Sequence, residues 1–270
     1  MSGKFDNRNK LNDLTGKEWL KLTKSFWVSE KCKDDKFAFK HPAPFLIKDI
    51  EKLISMFTKK GMSVLDPFMG VGTTLVACHN LERNGIGIDL NQKYCEFAEE
   101  RFNGFLIRNQ KIIVGDSLDE VPKIEKEIDY CVTSPPYYNI LKNNGQGLRT
   151  KKTGKRNGAR TGIEYYSDSK NDLSNQKTYN DFLVLFGKIM SEVHKKLKHG
   201  KYCTIIISDF TVTKKEICVQ GDIVRTMESV GFEFSGTTVL LQESKPLYPF
   251  GYPYAYKINH HHQNIINFKK

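Results

Sequence analysis

The amino-acid sequence predicts an α/β fold built around a mostly parallel β-sheet. From Met62 to Val132, short β-branched runs alternate with segments of helical periodicity, which is the pattern of parallel strands joined by crossover helices. The alternation continues from Phe182 onward. With 270 residues, 39% of them hydrophobic, the chain can enclose one sizeable core. We therefore expect a single domain over residues 1–270.

In the first half, the pattern predicts four strands at residues 64–66, 86–89, 112–114 and 128–132. Helices are expected at 70–80 and at 92–102, the second with Tyr94, Phe97 and Ala98 facing inward. In the second half, a stripe of apolar residues predicts a long helix that Gly200 stops; its members are Phe182, Leu185, Phe186, Ile189, Val193 and Leu197. A strand at 202–207, a short helix at 222–227 and strands at 237–241 and 264–268 complete the fold, the last one antiparallel.

Two regions depart from this alternation. The first, residues 1–54, is interpreted as an N-terminal extension. The second, residues 139–177, is rich in Gly, Asn and Lys, and between Lys142 and Arg160 it holds seven Lys or Arg residues and no acid. We interpret it as a basic insertion, with a solvated loop as the alternative.

The composition excludes several classes of protein. The six cysteines are scattered without a CxxC pair or a Cys/His cluster, so neither a disulfide framework nor a metal site is expected. The polar start and the lack of any run near ~20 apolar residues predict a cytoplasmic protein that does not contact a membrane. The net charge of +11 indicates a polyanionic partner.

A glycine-containing turn, DPFMGVGTT at residues 66–74, stands where the first strand passes into a helix. That is where an open α/β sheet receives its ligand, and Gly70 and Gly72 would let the backbone approach it closely. Leu75 replaces the third glycine of GxGxxG, which argues against a dinucleotide site. Asp89 and Asp116 end the next two strands. The alternative is a tight turn followed by two helix caps.

This turn resembles the DPFxGxGTT motif of the amino-methylating DNA methyltransferases, which act on cytosine N4 or adenine N6. The resemblance implies a Rossmann-like class I methyltransferase fold, with a seven-stranded sheet and helices on both faces, and S-adenosyl-L-methionine as cofactor. An HPAPF element at residues 41–45 resembles the family's HPxxF. The residues implied in cofactor binding are His41, Pro42, Asp66, Phe68, Gly70, Gly72, Thr73, Thr74, Asp89, Asp116 and Ser117.

Directly after the fourth strand, Ser134, Pro135, Pro136 and Tyr137 resemble the family's [DNS]PP[YFW] catalytic signature. The resemblance implies that the Ser134 hydroxyl and the Pro135 carbonyl accept hydrogen bonds from the target amino group. Two prolines fix the backbone that aims this carbonyl. Tyr137 would offer an aromatic face to a base extruded from the duplex. Because serine is a weak base, we infer that methyl transfer precedes proton loss.

Serine at the first position favours cytosine N4 over adenine N6, and the resemblance implies a restriction-modification or defence setting. An RNA methyltransferase and a non-catalytic DNA-binding subunit remain alternatives. The cofactor turn precedes SPPY here, an order that differs from the family's β arrangement. The partner implied is double-stranded DNA, with a homodimer or a partner restriction or specificity subunit left open. The residues expected to contact phosphates are Arg149, Lys151, Lys152, Lys155, Arg156 and Arg160.

Overall fold

The computed structural model describes residues 4–41, 45–102, 109–139, 167, 169–212 and 215–270. The α-helices in this part are α1 Gly16–Leu22, α2 Ile47–Phe57, α3 Thr73–Asn80, α4 Gln92–Phe102, α5 Ser117–Glu120, α6 Tyr179–Lys196 and α7 Val219–Ser229. The strands are β1 Phe26–Val28, β2 Ser63–Asp66, β3 Asn84–Asp89, β4 Gln110–Val114, β5 Ile128–Thr133, β6 Leu197–Ile207, β7 Phe210–Val212, β8 Lys215–Ile217, β9 Glu233–Leu241 and β10 His262–Lys269. Short 3-10 turns lie at Lys33–Lys40, Val121–Lys123 and Leu173–Asn175.

Eight strands form the main sheet in the order β1-β9-β10-β6-β5-β2-β3-β4. The pairs from β6 to β4 are parallel, and β10 runs antiparallel to both of its neighbours. The predicted α/β class and the antiparallel last strand are therefore confirmed. The main sheet was expected to have seven strands and has eight in the described part of the chain. The additional strand is β1, which pairs parallel with β9 through Phe26 and Val239.

Helices cover both faces of the sheet, as expected for a class I methyltransferase fold. Helices α2 and α3 pack on one face of the sheet, in the same hydrophobic cluster as Tyr130 and Val132 of β5. Helices α6 and α7 pack on the other face, where Ile128 and Cys131 of the same strand point. Neighbouring residues of a strand face opposite ways, as Tyr130, Cys131 and Val132 do. The register between β5 and β6 shifts between Ile128 and Tyr130, so Ile128 lies on the same face as Cys131, and each face of β5 contributes to its own hydrophobic cluster.

The N-terminal region is part of the sheet assembly. Trp27 of β1 is buried in the cluster under α2, and Asn12 donates a 2.7 Å hydrogen bond to the Met56 carbonyl. The boundary expected at residue 54 falls inside α2. Residues 1–54 hence supply a strand and most of a core helix.

The prediction that Gly200 ends the long helix is wrong. Helix α6 ends at Lys196 and β6 begins at the next residue. Gly200 lies within β6 with a φ of +73°, and its N–H bonds to the Lys270 carbonyl. The structure contains no α-helix in the described ranges that is long and apolar enough to cross a bilayer.

Candidate active site

Four parallel strands deliver polar residues to one edge of the sheet. Strands β2, β3 and β5 end at Asp66, Asp89 and Thr133, and Asp116 follows two residues after the end of β4. Because the carboxyl ends of parallel strands meet at the same edge, residues far apart in the chain become neighbours there. The glycine turn and the Ser-Pro-Pro turn both leave the sheet at this edge.

A cleft opens at this edge between the two turns. One wall comes from the ends of β2, β3 and β4, and the other from the turn after β5, the segment around residue 171 and helix α6. The residues that line it are His41, Pro67, Phe68, Asp89, Leu90, Tyr94, Asp116, Ser117, Ser134, Pro135, Pro136, Ser167, Asn171, Asp172, Leu173 and Ile189. The cleft thus unites both motifs that the sequence singled out.

The Asp66 carboxylate joins the two turns from below the cleft. It accepts hydrogen bonds from the hydroxyl of Thr133 at 2.6 Å and from the hydroxyl of Thr74 at 2.5 Å. Its side chain is 1% exposed and does not line the cleft. Burial raises the pKa of Asp66 to about 6, although the three hydrogen bonds it accepts, one of them from the Phe68 N–H, oppose the shift. Asp66 therefore shapes the cleft indirectly, because it fixes the glycine turn and the residue that precedes the Ser-Pro-Pro turn.

The glycine turn contains two positions that favour glycine, because the backbone has a positive φ there and little space is left for a Cβ. Gly72 has a φ of +77°, and a Cβ added there would lie 2.8 Å from the Ala98 Cβ. At Gly70, also at positive φ, the corresponding Cβ would lie 3.3 Å from the ring of His41. Thr73, buried behind the turn, accepts a hydrogen bond from the Arg101 guanidinium. Gly70, Gly72, Thr73 and Thr74 shape the turn without lining the cleft.

Asp89 faces the cleft from the end of β3. Its carboxylate accepts hydrogen bonds from the backbone N–H groups of Gly70 at 2.8 Å and Asn91 at 2.8 Å. Burial raises the pKa of Asp89 to about 7, and the nearby carboxylates of Asp66 and Asp172 add to the shift. A carboxylate of this kind gains from a ligand that brings hydrogen-bond donors.

Asp116 and Ser117 form the third part of the wall. Asp116 caps helix α5 by accepting from the Leu118 N–H at 2.9 Å, which is the capping role weighed above, and it also lines the cleft. Its second oxygen accepts from the side-chain amide of Asn171 at 2.7 Å. The Ser117 hydroxyl donates to the Pro67 carbonyl. The Asn171 bond ties the last described part of the basic insertion to the end of β4, and the Ser117 bond connects the end of β4 to the glycine turn.

Ser134, Pro135 and Pro136 all line the cleft opposite this wall. Ser134 is half-buried, and its hydroxyl makes no hydrogen bond within the described part of the chain. Thr133, the residue before it, is fully buried and bonded to Asp66. The turn therefore presents an unengaged hydroxyl on a backbone that is fixed from beneath.

The expectation that Tyr137 offers an open aromatic face is not met in the structure. Its side chain is 8% exposed, and its ring stacks on Phe210 with centroids 5.7 Å apart. Its hydroxyl accepts hydrogen bonds from the Ser208 N–H at 3.2 Å and the Gln263 amide at 3.1 Å. Packing has turned the ring into the core, so Tyr137 anchors the turn.

The sequence did not single out Tyr94, Asn171 and Asp172 as cleft residues. Tyr94 was predicted to face inward because of its helical periodicity, and it does. It also lines the cleft, and its buried hydroxyl has no hydrogen-bond partner among the described residues. The His41 ring meets the Tyr94 ring edge-on at 4.8 Å. Asp172, 2% exposed, accepts from Ser167 at 2.7 Å. An Asn-Asp pair at the end of a polar insertion carries no signal that separates it from any other loop.

Several predicted site residues lie outside the described residues. These are Pro42 and the expected phosphate contacts Arg149, Lys151, Lys152, Lys155, Arg156 and Arg160. Of the insertion at 139–177, residues 139, 167 and 169–177 are described, and its end forms one wall of the cleft. Within the described ranges no group of three or more His, Cys, Asp or Glu side chains is arranged to hold a metal ion.

The cleft fits the chemistry of S-adenosyl-L-methionine. That molecule carries ribose hydroxyls and an adenine amino group, which are donors, and the cleft offers the carboxylates of Asp89 and Asp116 at two neighbouring strand ends. The orphaned hydroxyl of Tyr94 is a buried polar group that a ligand would satisfy. The donor and acceptor set present in the cleft therefore agrees with this cofactor.

Comparisons with known proteins agree with the geometry. Residues 3–100 match the family model described as DNA methylase. The chain is similar to the orphan methyltransferase M.BamHII of Bacillus amyloliquefaciens, with 37% identity over 83 residues, 31% of this chain and 31% of that protein. It is also similar to the type II methyltransferase M.HpaI of Haemophilus parainfluenzae, with 45% identity over 74 residues, 26% of this chain and 20% of that protein. The matched segment hence spans about a third or less of each relative's length.

Among solved structures, TrmN from Thermus thermophilus superimposes with a TM-score of 0.52 and 15% identity, covering 88% of this chain and 52% of that one. At this identity the likeness concerns the fold, which is that of the class I methyltransferases. The resemblance to the DNA amino-methyltransferases is confirmed by the family match and the curated relatives. Fold and family together support S-adenosyl-L-methionine as the cofactor.

Proposed function

We propose that this chain transfers a methyl group from S-adenosyl-L-methionine to the exocyclic N4 of cytosine in double-stranded DNA, in a restriction-modification or defence setting. The observation that carries the proposal is that one cleft is lined both by Asp89 and Asp116 and by Ser134, Pro135 and Pro136. The two curated relatives named above are described as methyltransferases, one of them as type II. The cofactor, when bound, supplies the methyl group that replaces a proton on the target nitrogen.

Asp89 would hold the cofactor by accepting hydrogen bonds from the ribose hydroxyls, since an ionised carboxylate can accept from two donors at once. Asp116, with Ser117 beside it, would accept from the adenine amino group. His41 and Phe68 line the same cleft and would cover the methionine end, with the Tyr94 hydroxyl as an additional partner. Asp66 and the two glycines would act indirectly, because they fix the turn that carries Phe68.

Ser134 and Pro135 would orient the target. The amino nitrogen of cytosine is a poor nucleophile because its lone pair is delocalised into the ring. Two fixed acceptors, the Ser134 hydroxyl and the Pro135 carbonyl, would hold both hydrogens and aim the nitrogen. The rigidity comes from the proline pair and from the buried bond between Thr133 and Asp66. Because a neutral hydroxyl is a weak base, the proton would leave after the methyl group has arrived.

Serine in the catalytic turn supports cytosine N4 as the target atom, and the alternative is adenine N6. The net charge of +11 supports DNA as the substrate, because Lys and Arg gain free energy by displacing counterions from phosphates. Among the basic residues, Arg149, Lys151, Lys152, Lys155, Arg156 and Arg160 are proposed as phosphate contacts. Asn171, in the last described part of their insertion, borders the cleft.

The test is transfer of a deuterated methyl group to nucleic acid. The protein is incubated with S-adenosyl-L-methionine labelled in the methyl group and with duplex DNA or folded RNA, and the nucleosides are analysed by mass spectrometry. Labelled N4-methylcytosine from DNA is the expected product. Labelled N6-methyladenine would change the assigned target from cytosine to adenine. Label found in RNA alone would change the assigned substrate from DNA to RNA. No transfer to either, by a folded protein that binds the cofactor, would contradict the proposal.

A further inference from the structure

The connection between β9 and β10, residues 242–261, exposes an unusual set of large side chains. We call it the tyrosine loop. Its most exposed members are Leu247 at 75%, Tyr252 at 82%, Tyr254 at 95% and Tyr256 at 89%. Scattered exposed apolar residues are ordinary, but a contiguous group of them on one loop marks a surface that meets another molecule.

The loop is braced, so the rings are held outward by its backbone. Tyr248 and Asn259 exchange two hydrogen bonds of 3.0 and 2.8 Å across its base. Gln242 donates its N–H to the His261 carbonyl at 2.7 Å. At the tip, the N–H groups of residues 254 and 255 both bond to the Gly251 carbonyl. A loop ordered in this way has already lost the backbone entropy that binding would otherwise cost.

The loop rises from the edge of the sheet that carries the cleft. Strand β10 is antiparallel, so its first residues lie beside the last residues of its neighbours: His262 pairs with Leu241 of β9 and Asn264 with Ile207 of β6. The His262 carbonyl accepts from the Ser208 hydroxyl at 2.8 Å, and the next residue, Gln263, bonds to the Tyr137 hydroxyl at 3.1 Å. With strands about 4.8 Å apart, the base of the loop is offset by roughly 10 Å from the Ser-Pro-Pro turn.

A second contact fixes the loop from the side. The His260 Nε2 lies 2.6 Å from a carboxylate oxygen of Glu216 in β8, and the His260 carbonyl accepts from Lys245 at 3.3 Å. The loop is thus attached both to the hairpin β7–β8 and, through Gln263, to the residue that anchors the catalytic turn.

We propose that the tyrosine loop is a DNA-contacting surface, on which Tyr252, Tyr254 and Tyr256 pack against bases or sugars next to the extruded nucleotide. The inference rests on the proposed function and adds a recognition surface to it, separate from the basic insertion. A base that enters the cleft requires the flanking duplex to lie over this edge of the sheet, where the loop stands. Aromatic faces accept any base by stacking, and the duplex is disturbed there because one base has left the stack.

The chemistry of the loop favours nucleic acid over a second copy of this chain. Its exposed rings carry hydroxyl groups, which suit a wet and polar interface, whereas the core of a homodimer interface is more apolar. Lys245 and Lys257 lie in the same segment, where Glu243 is the one acidic residue, and the chain as a whole carries +11. Two copies with that charge would repel, while a polyanion is attracted.

The experiment compares three proteins by fluorescence anisotropy with a labelled duplex in the presence of S-adenosyl-L-homocysteine. They are the wild type, the triple variant Tyr252→Ser, Tyr254→Ser and Tyr256→Ser, and the control Leu20→Ser, which removes a 57% exposed side chain from α1. We expect the triple variant to bind the duplex roughly tenfold or more weakly, since stacking is worth ~1–3 kcal/mol per base. The control should bind like the wild type, and the cofactor product should bind all three equally in calorimetry. Equal melting temperatures show that all three are folded.

The outcomes separate the inference from the function on which it rests. A wild type that methylates DNA and a triple variant that binds the duplex with unchanged affinity would overturn the loop assignment alone. A dimeric wild type that becomes monomeric in the triple variant, with DNA affinity retained, would assign the loop to self-association. A wild type that binds the cofactor but neither binds nor methylates any duplex would overturn the proposed function and the loop assignment together.

Discussion

The hydroxyl of Thr133 donates a 2.6 Å hydrogen bond to the carboxylate of Asp66, and both side chains are buried. Asp66 opens the glycine turn, and Thr133 directly precedes the Ser-Pro-Pro turn. The bond therefore connects the two halves of the cleft across 67 residues of chain. It places a strongly desolvated carboxylate where the proposed cofactor and substrate sites meet.

The variant Thr133→Val removes one hydrogen-bond donor while keeping the shape of the side chain. We expect the free energy of unfolding at pH 8 to fall by about 1–3 kcal/mol, because a buried carboxylate loses a partner. Urea denaturation measures it. The control Thr211→Val, at a half-buried position of β7, should lose less than about 0.5 kcal/mol. If both variants lost the same free energy of unfolding, the bond between Thr133 and Asp66 would stabilise the fold no more than an ordinary surface contact.

The variant Asp66→Asn should be more stable than the wild type at pH 8. The folded-state pKa of about 6 lies above the ordinary aspartate pKa of 3.8, so folding favours the protonated acid, and stability is lost as the pH rises through this interval. The amide avoids that loss, which amounts to roughly 3 kcal/mol above pH 6. Denaturation between pH 4 and 8 should show the advantage shrink as the pH falls. A less stable variant at pH 8 would mean that the hydrogen bonds of the ionised carboxylate outweigh its desolvation.

Cofactor affinity should depend on pH through Asp89. Its pKa of about 7 in the free protein means that the carboxylate is largely protonated below neutral pH, and the proposed ribose contact needs the ionised form. Calorimetric titration with S-adenosyl-L-homocysteine should give constant affinity above about pH 8 and an affinity that approaches a tenfold loss per pH unit well below 7. The variant Asp89→Asn should bind weakly and without this dependence. The same slope in the variant would assign the titration to another group.

The variant Tyr94→Phe should separate binding from stability. The hydroxyl is buried and has no hydrogen-bond partner in the described part of the chain, so its removal should leave the free energy of unfolding unchanged or slightly higher. If the cofactor satisfies this hydroxyl, affinity for S-adenosyl-L-homocysteine falls by roughly five- to tenfold. Tyr130→Phe is the matched control, because that hydroxyl bonds to Thr204 at 2.7 Å in the core. The control should lose stability and keep its affinity; loss of stability in Tyr94→Phe, with affinity retained, would contradict the assignment.

The variant Ser134→Ala should lose turnover and keep the cofactor. Removing one of two fixed acceptors should lower kcat/KM with duplex DNA by roughly 10- to 100-fold, while S-adenosyl-L-homocysteine binds as before. Ser229→Ala at the exposed end of α7 serves as the control and should leave both quantities unchanged. Unchanged turnover in Ser134→Ala would remove this residue from the proposed chemistry.

The sequence alone determined the parts of this protein that depend on local pattern. Helix α4 was predicted over the residues it occupies, 92–102, and the strand ends at Asp66, Asp89 and Thr133 fall within a residue of those expected. Amphipathic periodicity and the turn residues at strand ends are local properties, and parallel strands bring their carboxyl ends to one edge whatever the loops between them do. Convergence of the two turns follows from that rule.

Only the tertiary structure decided which way individual side chains face and which distant segments meet. Tyr137 turns into the core because its ring stacks on Phe210 and its hydroxyl accepts hydrogen bonds from Ser208 and Gln263. The sequence around Tyr137 does not predict these contacts. β1 joins the sheet because β9 offers an edge more than 200 residues later. The same holds for the Asn171 contact with Asp116 and for the exposed tyrosines of the β9–β10 loop. These features depend on packing between distant residues, and periodicity carries no information about it.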